Sequence, residues 1–366
     1  EDQIPYWSNP NKVVQGVTIG TNGSSSCEAN ATFSLNNYIN RVANYQCSNS
    51  SFADVVIKDA WTDNGNIPTV GIMIPDVPST SALPNKLFNS SDVWVRTQND
   101  GSSNQHAHQD PILGNSNHIY VKLRNGGTAS ITGTLEVYYA NANTNFNWGG
   151  GNNTGDFILA GPTQLVTIGQ NITEIVGVPW DNFPNPINGS HYCLYARWVS
   201  SSDPMQTTET TEVWRNTAYN NNIAWKNLNI ISINGMGQAN PSVYDRVNFY
   251  LTSSNNTMQF LSIDSSGIDD DFFINNHMNL RFDSLTTEAL KKSEDNDKLK
   301  YNSNGTFSLY SNKVDLVMPK TSSKIKRYVD IEFQSNTSSI PTKQYFINMV
   351  HFEDKKLSGG FVFQTE

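Results

Sequence analysis

Two imidazoles, His106 and His108, lie on one side of an extended His-Ala-His segment, and Asp110 follows two residues later. A His-x-His pair with a nearby carboxylate can hold Zn, Ni or Cu. The competing reading is a polar inter-strand loop with incidental histidines. The run Asp264-Ser265-Ser266-Gly267-Ile268-Asp269-Asp270-Asp271 offers a second donor set, with Asp269, Asp270 and Asp271 supplying oxygen ligands of the kind Ca²⁺ takes. It lacks the spacing and closing Glu of an EF-hand loop, so a solvated turn competes with it. Phe146, Asn147 and Trp148 stand among Asn and Gly in the 141–155 stretch, and Asn104 lies in the long 99–117 stretch. Exposed aromatics beside amides suit sugar stacking or protein contact. The alternative is that Trp148 folds back over a core edge.

Sequence motifs for catalysis are absent. There is no Gly-x-Ser-x-Gly elbow, no His-Glu-x-x-His pair and no phosphate-binding glycine loop. Gly235-Met236-Gly237 misses the dinucleotide fingerprint because Asn240 stands where the third glycine belongs. His118, His191, His277 and His351 are solitary and read as structural. No catalytic residue is assigned, and the expected cofactor is none beyond a divalent metal at the two sets above.

These residues must be positioned by a chain of 366 residues with 37% hydrophobic and 11% aromatic content, enough for ordinary cores. Charged residues make up only 16%, against about 25% in a typical globular chain. Asn (48), Ser (38) and Thr (29) take their place. A net charge of −9 argues against nucleic acid as a partner, since phosphate neutralisation needs a basic face. No apolar stretch is long enough for a transmembrane helix. Ten Asn-x-Ser/Thr sequons occur, about as many as this composition yields by chance, so they say nothing about glycosylation.

Cys27 and Cys47 lie twenty positions apart in a polar stretch, where a disulfide contributes about 3 kcal/mol in the chain-entropy model. Cys193 sits in the apolar run His191-Tyr192-Cys193-Leu194-Tyr195, where a lone thiol behaves as a small buried hydrophobe. The expectation is a Cys27–Cys47 bridge with Cys193 free; three reduced thiols are the alternative. The chain opens Glu1-Asp2-Gln3 without Met. That start suggests a mature protein exported with a cleaved signal peptide, and so a secreted or extracellular one.

Strand periodicity dominates. Ile131, Gly133, Leu135, Val137 and Tyr139 share one face, and Ile119, Val121 and Leu123 another. Asn125-Gly126-Gly127 between these runs predicts a tight hairpin. One short helix is expected over 286–292, with Glu288 and Lys292 four apart. All eight Trp precede residue 230, whereas Lys is concentrated after it, and 234–241 reads as a linker. The expected fold is all-β: a disulfide-closed N-terminal segment (1–52) followed by two tandem antiparallel β-sandwiches (53–232 and 233–366).

The first sandwich resembles a family of secreted bacterial immunoglobulin-like domains akin to cell-adhesion-related modules. The residues that carry this are Val56-Ile57-Lys58-Asp59, Asp63-Asn64-Gly65, Ser91-Asp92-Val93-Trp94-Val95-Arg96, Asp110-Pro111 and Gly114. They continue with His118-Ile119-Tyr120-Val121-Lys122-Leu123-Arg124-Asn125-Gly126-Gly127, Val137-Tyr138-Tyr139-Ala140, Cys193-Leu194-Tyr195-Ala196-Arg197 and Asn222-Ile223-Ala224-Trp225-Lys226-Asn227. The likeness covers roughly 53–231, with an echo at Gly359-Gly360-Phe361. It implies a sandwich fold and, being built of strand and turn residues, transfers no catalytic residue.

The resulting expectation is a secreted, non-catalytic, adhesion-like binding protein, of the kind a bacterium exports by type II secretion as an effector. Its partner would be a host or surface protein or a glycan, met through loops on a rigid scaffold. A secreted hydrolase or metal-dependent enzyme with a site assembled from distant residues is one rival. A structural subunit of a surface assembly is the other.

Overall fold

The computed structural model describes residues 9–14, 17–19, 52–60, 63–67, 87–101, 107–141, 146–149, 155–181, 192–231, 234–235, 245–251, 259–264, 276–292, 298–319, 325–335, 346–353 and 356–365. Cys27 and Cys47 fall outside them, as do His106, Asn104 and Asp269–Asp271. The chain divides into two compact units, 1–52 and 53–366. In the first, β1 (Asn9–Val14) and β2 (Val17–Ile19) form an antiparallel pair.

Among the described residues, the second unit is all-β apart from two short helices. Its first sheet centres on β5 (Asn117–Asn125), with β3 (Val55–Val56) and β4 (Val93–Arg96) along one edge and β9 (Thr173–Trp180) along the other. The second runs β11 (Ile223–Lys226), β10 (Tyr192–Val199), β6 (Ile131–Asn141), with β7 (Ile158–Leu159) and β8 (Gln164–Ile168) beyond β6. These two sheets face each other across one core. Val95, Ile119, Val121, Leu123 and Trp180 meet Ile131, Leu135, Leu194, Ala196 and Trp198 there.

The third sheet runs β12 (Leu228–Ile231), β22 (Lys356–Thr365), β21 (Phe346–Glu353), β15 (Gln259–Asp264), β19 (Lys313–Val317). The fourth runs β13 (Asn234–Gly235), β20 (Ile325–Ser335), β16 (Asn276–Phe282), β18 (Phe307–Leu309), β17 (Leu299–Tyr301), with β14 (Asp245–Leu251) also on β20. Leu261, Ile263, Met349 and Phe363 face Met278, Leu280, Val329 and Ile331 in the core between them. Among the described strands, the β12–β22 and β13–β20 pairings are parallel and the others antiparallel.

A third cluster joins the halves. Phe88, Tyr138, Phe146, Trp148, Phe157, Cys193, Tyr195 and Trp225 pack with Val350, Phe352 and Val362. Strands β10 and β21 are thus buried on both faces: Leu194 and Met349 point to the private cores, Tyr195 and Val350 to the shared one. The chain leaves the second sheet at Lys226 and enters the third at Leu228, so Asn227 alone separates them. This handover precedes the 234–241 stretch read as a linker.

The expected hairpin at 125–127 does not form. Strands β5 and β6 belong to different sheets, because their apolar faces must oppose each other rather than lie side by side. Asn125 is instead a buried staple, its Nδ2 donating to the carbonyls of Ala129 and Gly169 at 2.7 and 3.0 Å, its Oδ1 accepting from Gly127 N–H at 2.9 Å. The expected helix exists, as α2 (Ser284–Lys291), but starts earlier because Asp283 caps it by accepting from Thr286 N–H at 3.1 Å. Glu288 pairs with Lys291 rather than Lys292. Helix α1 (Val213–Ala218) was not expected; its six residues are too few to show a helical period.

Candidate functional site

The 99–117 stretch follows β4 and leads into β5, and its described residues are 99–101 and 107–117. Arg96 clamps its two arms: the guanidinium grips Asp100 with two bonds of 2.9 Å and donates to Ala107 O at 2.9 Å. Tyr120 Oη donates to Asn99 Oδ1, and its ring fills the space where a Cβ on Gly101 would fall. On the returning arm, Val95 N–H donates to His108 Nδ1 at 3.2 Å and Thr97 N–H to Gln109 Oε1 at 3.1 Å.

The tip is a turn at 112–115. Asn115 N–H donates to Ile112 O at 3.2 Å, and Gly114 sits at φ +80°, a conformation that costs glycine little. Asn117, fully buried at the start of β5, locks this turn. Its Oδ1 accepts from Ile112 N–H at 2.9 Å, and its Nδ2 donates to the carbonyls of Ile112 and Asn115 at 3.0 and 3.1 Å. Ile112 and Leu113 are left 49% and 53% exposed on a fixed backbone. Two large apolar side chains are thus displayed at a locked tip, and they supply no proton transfer.

Beside the loop, Val95, His108, Asp110, Pro111, Trp180, Tyr192, Leu194 and Lys226 line a narrow cleft. It has room for about one water. His108 uses Nδ1 as the acceptor for Val95, which assigns the proton to Nε2, 3.9 Å from Asp110 Oδ1. With one nitrogen committed to the backbone, His108 is a loop strut. No group of three metal-binding side chains occurs among the described residues.

The aromatic pair expected at the 141–155 loop is corrected. Trp148 is 1% exposed and Phe146 5%, both inside the shared cluster. Trp148 packs on Tyr195 and Tyr138 with centroids 4.9 and 5.1 Å apart, and Arg197 lies over its ring at 5.4 Å. The guanidinium also binds Glu136 and Glu209, so both carboxylates are held in one ion-paired knot. Burial of this much apolar ring outweighs any solvent-facing role. Asn147 alone of that trio is exposed, with its N–H donating to Asp156 Oδ2 at 2.8 Å.

The sequence reading missed Ile112, Leu113 and their lock Asn117. The available signal was an apolar pair closed by Gly114-Asn115 in an otherwise polar stretch, which periodicity alone does not flag. Cys193 is, as expected, a buried free thiol, and burial raises its pKa well above the ordinary thiol value.

No family model matches this chain, and no curated protein does. Among solved structures, it is similar to the CupB6 tip adhesin from Pseudomonas aeruginosa, at 6% identity over 69% of this chain and 92% of that one, with a TM-score of 0.23. Collagen adhesin (CNA) from S. aureus gives 8% identity over 76% and 92%, with a TM-score of 0.22. A β-glucosidase, D2-BGL, from Chaetomella raphigera gives 13% identity over 33% of this chain, with a TM-score of 0.20, and this chain spans only 18% of it. At such scores the likenesses carry no argument about function.

Proposed function

We propose that this chain is an extracellular, non-catalytic binding protein of adhesion type that engages a protein surface through the 99–117 loop. The supporting observation is the Ile112–Leu113 tip, exposed and apolar yet held by three hydrogen bonds to the buried Asn117 side chain, two that it donates and one that it accepts. A turn held in place before binding loses little conformational entropy on contact, so its apolar area converts to affinity efficiently. Clamps at Arg96 and Tyr120 extend the same preorganisation to the loop's other arm. An apolar tip favours a protein partner over a glycan, which would ask for exposed aromatic rings and amides.

The test is attachment to an array of immobilised extracellular-matrix proteins and glycans. The wild-type chain should bind at least one protein spot, and the double substitution Ile112→Asp, Leu113→Asp should abolish that binding with an unchanged melting temperature. Attachment that survives this substitution, or attachment to glycans alone, would refute the reading.

A further inference from the structure

We propose that Lys226 and Asn89 join in an intramolecular isopeptide bond that staples the 87–90 segment to β11. Lys226 is 7% exposed, and its Nζ donates to Asn89 Oδ1 at 2.8 Å and to Ser90 O at 2.9 Å. No carboxylate forms an ion pair with it among the described residues. Burial without a compensating anion lowers the ammonium to about 7, so a large share of the amine is uncharged near neutral pH. An uncharged amine is a nucleophile, whereas an ammonium is not.

The backbone holds the two side chains together. Asn89 and Lys226 are directly paired across an antiparallel bridge. Ser90 N–H donates to Trp225 O at 3.0 Å and Asn227 N–H to Phe88 O at 2.7 Å, so hydrogen bonds flank the pair on both sides. Such enforced proximity replaces a bimolecular encounter with an internal step.

The chemistry balances without an added reagent. The Nζ lone pair attacks Asn89 Cγ and an N–C bond forms. The Cγ–Nδ2 bond then breaks, and a proton passes from Nζ to Nδ2, which departs as ammonia. Asn89 is half-buried rather than enclosed, which leaves the ammonia a route to solvent. Partners 137 residues apart would then be covalently tied, the segment that leads into β4 to the last strand of the first sandwich. This inference is independent of what the protein binds.

Intact mass spectrometry of the whole purified chain tests it. The expected mass falls short of the sequence mass by one ammonia, and digestion yields a branched peptide joining the Asn89 and Lys226 fragments. The Asn89→Ala and Lys226→Met variants should each regain the full calculated mass; the first alters a half-exposed position and should preserve the fold. A full sequence mass for the wild type, with Lys226 in an unbranched peptide, overturns the proposal. So does a deficit that persists in Asn89→Ala, as ring closure at an Asn-Gly step such as Asn125-Gly126 would give.

Discussion

Asn227 Nδ2 donates to the Gly360 carbonyl across 2.8 Å, at the one residue where the chain passes from the second sheet to the third. Asn227 also donates its N–H to Phe88 O at 2.7 Å and accepts from Val362 N–H at 2.9 Å. A fully buried residue thus ties together three segments that bound the shared cluster, its backbone holding Phe88 and Val362 and its side chain holding Gly360.

Replacing Asn227 by Ala should therefore cost about 1–3 kcal/mol, because it strips a buried carbonyl of its donor. Gly360→Val should cost at least as much, since a Cβ there would lie 2.7 Å from the Phe88 ring and 2.8 Å from Met349 O. Urea unfolding of both variants, followed by tryptophan fluorescence, measures this. An unchanged midpoint for Gly360→Val would contradict the tight packing of Phe88 on β22.

Asp203 should make the first sandwich more stable in mild acid. Its carboxylate accepts from Val55 N–H at 2.9 Å and from Asn222 Nδ2 at 2.6 Å, but burial dominates and raises its pKa to about 6, from 3.8. A raised folded-state value means that the contribution is fully present below about pH 4 and is lost as pH rises through about 6. Wild-type urea midpoints minus those of Asp203→Asn should decline between these values. A flat difference would show that the carboxyl is not desolvated.

His351 acts in the opposite sense. Fully buried on β21, with Nε2 3.0 Å from Gln259 Oε1, it is lowered by burial from 6.5 to about 3. A depressed value gives stability that is present above about pH 6.5 and lost as pH falls towards 3, on the order of 1 kcal/mol per pH unit. His351→Gln should flatten this acid loss. An equally steep decline in the variant would assign the slope to other groups.

Trp148→Ala should cost about 3–5 kcal/mol, the range for deleting a buried aromatic ring, because Tyr138, Phe157, Tyr195 and Arg197 all pack on it. Attachment measured well below the variant's melting temperature should be unchanged. Lost binding in a variant of wild-type stability would restore a recognition role to that ring.

The strands themselves were legible in the residues. Alternation at Ile119, Val121 and Leu123 and at Ile131, Leu135 and Val137 sends those side chains to one core, as the period-two pattern requires. The buried thiol at Cys193 followed from the same local logic. What alternation cannot encode is which sheet a strand joins, so Asn125-Gly126-Gly127 suggested a hairpin where two opposed sheets are bridged. Nor does it say what covers the second face. The continuous run Tyr192-Cys193-Leu194-Tyr195-Ala196 is apolar because β10 is buried on both sides. The cover on its outer side comes from Phe146, Trp148 and Phe157 nearby and from Val350, Phe352 and Val362 over 150 positions away. The fate of Trp148 was settled by that long-range packing, since an aromatic among Asn and Gly reads alike whether it faces water or a neighbouring sheet. Local pattern determined the strands and their inward residues; only the tertiary fold decided which aromatic rings were consumed as core and that Ile112 and Leu113 were left facing solvent.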